Sequence, residues 1–72
     1  VVIPCDIADP AAVAAMAETA LAELGRVDVL VNNAGYACFK PFEELSLDEW
    51  RRTFDVNVTG VFLAIQALLP SM

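Results

Sequence analysis

The chain has 72 residues, 58% of them apolar, and ten acidic against four basic side chains, for a net charge of −6 with no histidine and two cysteines. That balance argues against a nucleic-acid surface or a dock on anionic lipid, which need cationic footprints. The missing histidine and the lack of a C-x-x-C pair argue against a metal site, and the apolar content argues against disorder.

A fold of this size hides only about 60% of the surface its unfolded chain exposes. So apolar a chain is therefore expected to be an internal piece of a larger domain, and its start at Val1 in place of Met fits that expectation. Two cysteines, Cys5 and Cys38, allow one bridge at most, too few for a disulfide-stapled miniprotein. No charged n-region, apolar h-region and cleavage site open the chain, and the apolar stretch 56–69 is interrupted by Asn57, Thr59, Gly60 and Gln66. No membrane span is expected, and a cytoplasmic location is the expectation.

Val1-Val2-Ile3 is β-branched and unrelieved by polar residues, as in a strand covered on both faces, and Cys5-Asp6-Ile7 leaves it. Asp9 followed by Pro10 predicts a helix start: the aspartate accepts an orphan N–H, and proline at the first position sacrifices no bond. Val13, Met16, Ala17, Ala20, Leu21 and Leu24 then fall on one helical stripe, and Gly25 closes it. Val27 to Val31 reads as a second strand, stopped by Asn32-Asn33-Ala34-Gly35. One helix between two strands predicts a βαβ unit with parallel strands and a right-handed crossover. The fold class expected is α/β: part of a Rossmann-like, doubly wound parallel sheet in the order strand, helix, strand, helix.

Residues 36–45 read as a loop bearing Tyr36, Phe39 and Phe42. Ser46 and Glu49 have capping-box spacing, and a long helix is predicted from Leu47 to about Leu69, with Pro70 at its end. Its expected apolar stripe is Trp50, Phe54, Val58, Val61, Phe62, Ile65, Leu68 and Leu69.

Ligands of open α/β sheets bind outside the carboxyl ends of the strands, where this chain carries its oddest polar clusters. Neighbouring strands lie about 4.8 Å apart, so if these two pair, Asp6 and the Asn32–Gly35 turn form one wall of a crevice. Each cluster has two readings. Asp6 either accepts from a purine amine or satisfies local loop N–H groups. Asn32 and Asn33 either cap frayed ladder groups or flank a close backbone approach at Ala34-Gly35. Asn57 interrupts the stripe of the long helix; it either ties the helix to a loop or marks a local opening that frees a main-chain carbonyl for a water. Tyr36 leans towards pocket lining and the two Phe residues towards pinning the loop. Cys38, with no base in sequence reach, reads as a small buried filler.

Val29-Leu30-Val31-Asn32-Asn33-Ala34-Gly35, with Gly25-Arg26-Val27-Asp28 and Cys5-Asp6-Ile7 before it and Phe54-Asp55-Val56-Asn57-Val58-Thr59-Gly60 after it, closely resembles the short-chain dehydrogenase/reductase family. An N-N-A-G turn joined to an N-V-x-G helix is far more specific than either motif alone. The resemblance covers the whole chain and implies a Rossmann-like domain binding NAD or NADP. It makes Asp6 and the Ile7 backbone a contact to adenine, Asn32 a support of the central sheet, and Asn33, Ala34 and Gly35 contacts to the cofactor riboses. Asn57 matches the catalytic asparagine, whose main-chain carbonyl would hold a water linked to the catalytic lysine.

By the same resemblance the helix from Leu47 joins a subunit interface in a homodimer or homotetramer. The glycine-rich turn belongs upstream of Val1, and the serine and the Tyr-x-x-x-Lys pair downstream of Met72, so these 72 residues alone are expected to be inactive. The parent is expected to be an NAD(P)-dependent oxidoreductase acting on a small-molecule carbonyl or alcohol. A non-catalytic cofactor-binding or scaffold protein of the same fold is the alternative, and an unrelated flavodoxin-like fold is a third.

Overall fold

The computed structural model describes all of residues 1–72. Helix α1 runs Pro10–Leu24 and starts as expected: the Asp9 carboxylate accepts from the Ala11 N–H at 3.1 Å. It stops at Gly25, whose φ of +78° a side chain would strain and whose N–H donates to the Leu21 carbonyl. Val13, Ala17 and Ala20 are its buried side chains, and Leu24, expected on the stripe, is exposed.

The second helical run, Leu47–Ser71, has 25 residues in three parts: α2, Leu47–Phe54; a π turn, Asp55–Thr59; and α3, Gly60–Leu68, finished by a 3-10 turn through Pro70. The capping box at its start is complete, with the Ser46 hydroxyl accepting from the Glu49 N–H and the Glu49 carboxylate accepting from the Ser46 N–H. A short 3-10 turn at Phe42–Glu44 is the one helical element of the loop before it.

Helices α1 and α3 pack side by side, and the fully buried face of α3 shares only Leu68 with the predicted stripe, of which Val61 is half-buried. Val56, Gly60, Ala64 and Leu68, four residues apart, are buried, whereas Trp50, Phe54, Val58, Phe62, Ile65 and Leu69 of the predicted stripe are exposed. Hydropathy alone could not choose between two apolar faces. Size decides, because the small residues let the helix come close to its neighbours. The run is also long and apolar enough to cross a membrane, at a mean hydropathy of 1.3 over its best window, which the interruptions at Asn57, Thr59, Gly60 and Gln66 did not prevent.

No strand forms. A strand takes its hydrogen bonds from a neighbour, and no backbone hydrogen bond joins residues 1–5 to residues 27–33. The predicted βαβ pairing is therefore absent, and the side chains meant for a sheet interior lie open, Val2 at 91% and Val29 and Val31 at 77%. The second segment is held at Val27, which packs with Ala17 and Leu68 and whose N–H donates to the Ser71 hydroxyl at 2.9 Å, and at the half-buried Leu30, which packs against the same cluster.

Candidate cofactor-edge site

Three contacts draw the polar clusters to one end of the molecule. The first is at Asn57, inside the π turn. Widening of the turn from i+4 to i+5 closure is seen in the Gly60 N–H bond to the Asp55 carbonyl. The Asn57 amide reaches across to the loop after Gly35: Oδ1 accepts from the Tyr36 N–H at 3.0 Å and Nδ2 donates to the Tyr36 carbonyl at 2.8 Å. Asn57 thus holds both backbone groups of one residue. It does so exposed rather than buried. A Cβ placed on Gly35 would find Asn57 Oδ1 at 3.7 Å as its nearest neighbour, so the Gly35 backbone is otherwise open.

The second contact is at Asp6. Its Oδ1 accepts from the Ala8 N–H at 3.0 Å, and its Oδ2 lies 3.5 Å from Arg52 Nη1. The Arg52 guanidinium also stands over the Tyr36 ring, 5.7 Å from its centroid, within cation–π range. One arginine thereby spans the exits of both expected strands. Such an exposed pair stabilises by about 0–1 kcal/mol, so its effect is on position more than on stability. The third contact, of Ile7 with Gly60, is backbone-close.

Asn32, Asn33 and Ala34 line a cavity of about 150 Å³ with Ile7, Val56 and Ala64. This cavity gathers the two segment exits and the helix face between them. Tyr36 lines neither this cavity nor the larger groove of about 330 Å³ formed by Phe42, Leu45, Ser46, Leu47 and Trp50. Phe39 and Phe42 do not pin the loop, being 96% and 83% exposed.

The loop is held instead by a polar network centred on Glu49. Cys38 Sγ donates to Oε2 at 2.7 Å, and Lys40 Nζ lies 2.8 Å from Oε2 and 3.0 Å from Oε1. Hydrogen bonds from Cys38, Lys40 and Ser46 hold the Glu49 carboxyl down to about 2, and the bond to Glu49 pushes the Cys38 thiol up. Cys38 is therefore a protonated donor to the cap and not a mere filler.

Arg52 was not singled out from sequence, Glu49 was read only as half of the capping box, and Gly60 only as the glycine of the N-V-x-G motif. The packing role of Gly60 has a local signal, a helix-interior glycine costing about 1 kcal/mol against alanine. The partners of Arg52 and Glu49 depend on where the loop folds back, which no periodicity encodes.

The sequence profile of the family described as short chain dehydrogenase matches residues 1–72. The D-threitol dehydrogenase of Mycolicibacterium smegmatis is 52% identical over 64 residues, covering 89% of this chain and 25% of that protein. The glucose 1-dehydrogenase 2 of Bacillus subtilis is 40% identical over 71 residues, covering 97% and 28%. Among solved structures, a blue fluorescent protein from a metagenomic library in complex with NADPH superposes at a TM-score of 0.89 with 50% identity, over 94% of this chain and 28% of that one. NADPH-bound carbonyl reductase from chicken fatty liver superposes at 0.90 with 29% identity, over 99% and 29%. The chain belongs to the short-chain dehydrogenase family, whose fold is α/β. It spans about a quarter of the length of the curated relatives it matches.

Proposed function

We propose that residues 1–72 are the middle of a single NAD(P)-binding Rossmann domain, incomplete at both ends, and that the whole protein is an oxidoreductase. It would transfer hydride between nicotinamide and a carbonyl or alcohol carbon. The observation that carries this reading is the family match over all 72 residues, with the N-N-A-G exit and the Asn57 turn meeting at Tyr36.

The missing ladder fits this placement. In the Rossmann order 3-2-1-4-5-6, third and fourth strands are separated by two others. With two strands upstream, the one that ends in the glycine-rich turn and the one whose end discriminates the adenosine 2′ position, Val1–Ile3 takes the third place and Val27–Val31 the fourth, so the two have no reason to pair. The crevice wall expected from adjacent strands is replaced by a longer rim, which Arg52 and the Ile7–Gly60 contact bridge.

The residues present fit the adenosine and ribose side of a dinucleotide. Asp6 and the Ile7 backbone would meet adenine, and Asn33, Ala34 and Gly35 would run along the riboses, where Gly35 leaves its backbone open. Asn32 would support the sheet. When bound, the nicotinamide supplies the hydride acceptor or donor. Asn57 commits its amide to Tyr36, so any part it plays in proton movement passes through its main chain, whose carbonyl would hold a water. Tyr36 would border the substrate. The exposed apolar face of the 47–71 helix, from Trp50 to Leu69, supports a homodimer or homotetramer contact, and a cytoplasmic location completes the proposal.

In the intact protein, Asn57→Ala is expected to lower turnover at least about tenfold, within what positioned proton transfer supplies, while the Kd for NADPH or NADH changes little. Steady-state kinetics beside fluorescence titration decide it. Unchanged turnover would leave Asn57 a loop tie, and a wild-type protein that binds cofactor without turnover would favour the non-catalytic alternative.

A further inference from the structure

Gly60 lies one turn after Asn57, on the face of the helix turned to the Asp6-Ile7 exit. A Cβ built there would stand 2.7 Å from Ile7 Cγ1, 2.7 Å from the Ile7 carbonyl oxygen and 3.1 Å from the Asp55 carbonyl. Nonbonded carbons meet at roughly 3.5–4.0 Å, so even one methyl does not fit unless something moves. The helix cannot give easily: Gly60 opens α3, its N–H is bonded to Asp55, and the turns beyond it are seated on α1 through Ala64 and Leu68. The Ile7 turn can, since its tie at this point is the local hydrogen bond of Asp9 to the Asp6 carbonyl and the exposed contacts of the Asp6 carboxylate. Displacement would therefore fall on Asp6 and Ile7.

We propose that Gly60 is a positioning residue for the adenine end of the cofactor site: by lacking a side chain it sets how close the Asp6-Ile7 turn sits to the helix that carries Asn57. This rests on the cofactor reading above and adds to it a role for a residue that touches no ligand. The same contact fixes the spacing between the adenine-side carboxylate and the Asn57 turn, since Gly60 and Asn57 share one helical turn.

The experiment uses the intact protein, wild type beside Gly60→Ala and Asn57→Ala, titrated with NADPH, NADH and 5′-AMP, with turnover measured at saturating cofactor. AMP carries the adenosine half alone. Gly60→Ala is expected to weaken AMP and the dinucleotides by a common factor of about ten, and to lower turnover by less than it raises Kd. Asn57→Ala is expected to show the opposite split. Unchanged AMP affinity in a folded Gly60→Ala protein overturns the proposal, as does a lowered melting temperature with no change in Kd. If Gly60→Ala does not fold, Ile7→Ala loosens the same seat from the other side and keeps the backbone proposed to meet adenine. AMP affinity that stays unchanged in that variant overturns the proposal too. Wild type that binds none of the three probes overturns the cofactor reading itself, whereas binding by wild type with equal binding by the variants overturns the role of Gly60 alone.

Discussion

Glu49 shows how much one side chain can organise. It closes the capping box, receives the Cys38 thiol and pairs with Lys40, so the start of α2 and the loop before it share a carboxylate. The carboxyl is held to about 2 in the folded chain and returns to near 4.5 on unfolding, so its charged form favours the fold. That contribution is complete above about pH 4.5 and is lost as the pH falls towards 2. Melting temperatures of the intact protein across this window are expected to fall more steeply for wild type than for Glu49→Gln; parallel curves would contradict it. The cap was legible from Ser46 and Glu49 alone, because its geometry is local. The thiol and the ammonium were not, since they arrive by a loop whose path has no periodic signature. For Asn57 the sequence exposed the anomaly, an amide among apolar residues, and the structure supplied the partner, Tyr36.

At the scale of elements, the long helix is a regular helix with one residue too many. Closure at i+5 takes in one more residue than closure at i+4 without turning the flanking segments, so α2 and α3 keep their faces while Asn57 is set apart. Removing one residue from a regular segment instead rotates everything beyond it by about 100°. Deleting Val58 from the π turn is therefore expected to spare most of the stability of the intact protein. Deleting Leu63 turns Ala64 and Leu68 away from α1, a loss of at least the roughly 2–5 kcal/mol of a buried leucine. Thermal unfolding of the two deletions compares them, and equal losses would refute the account. Both ends of α1 and the start of α2 were readable from Asp9, Gly25 and Ser46, and the end of α3 was readable from Pro70 to within a 3-10 turn. The buried face of α3 was not, because counting apolar residues favours Phe62 and Ile65, whereas packing chose Gly60 and Ala64.

At the scale of the molecule, much of the surface is apolar. The chain measures 47 × 18 × 17 Å with a radius of gyration of 14.1 Å, against about 11 Å for a compact domain of this length. Eight residues are buried, so the apolar excess in the composition lies mostly outside. Residues 1–72 expressed alone are expected to associate or precipitate at micromolar concentration and to bind no nicotinamide cofactor. A monomer in sedimentation with a cooperative calorimetric transition would contradict this. Extended segments at 1–3 and 27–31 could be suggested by β-branched runs, but pairing depends on which segments lie side by side, and no backbone hydrogen bond joins these two.

The bond between the Val27 N–H and the Ser71 hydroxyl joins positions 44 residues apart, and this has a consequence in time. A ribosome adding about 5–20 residues per second needs about 2–9 s to travel from one to the other. Through that interval Val27 to Val31 has been made while the helix end that anchors it has not. An apolar segment apt to stick to another nascent chain thus waits 44 residues of synthesis for its anchor.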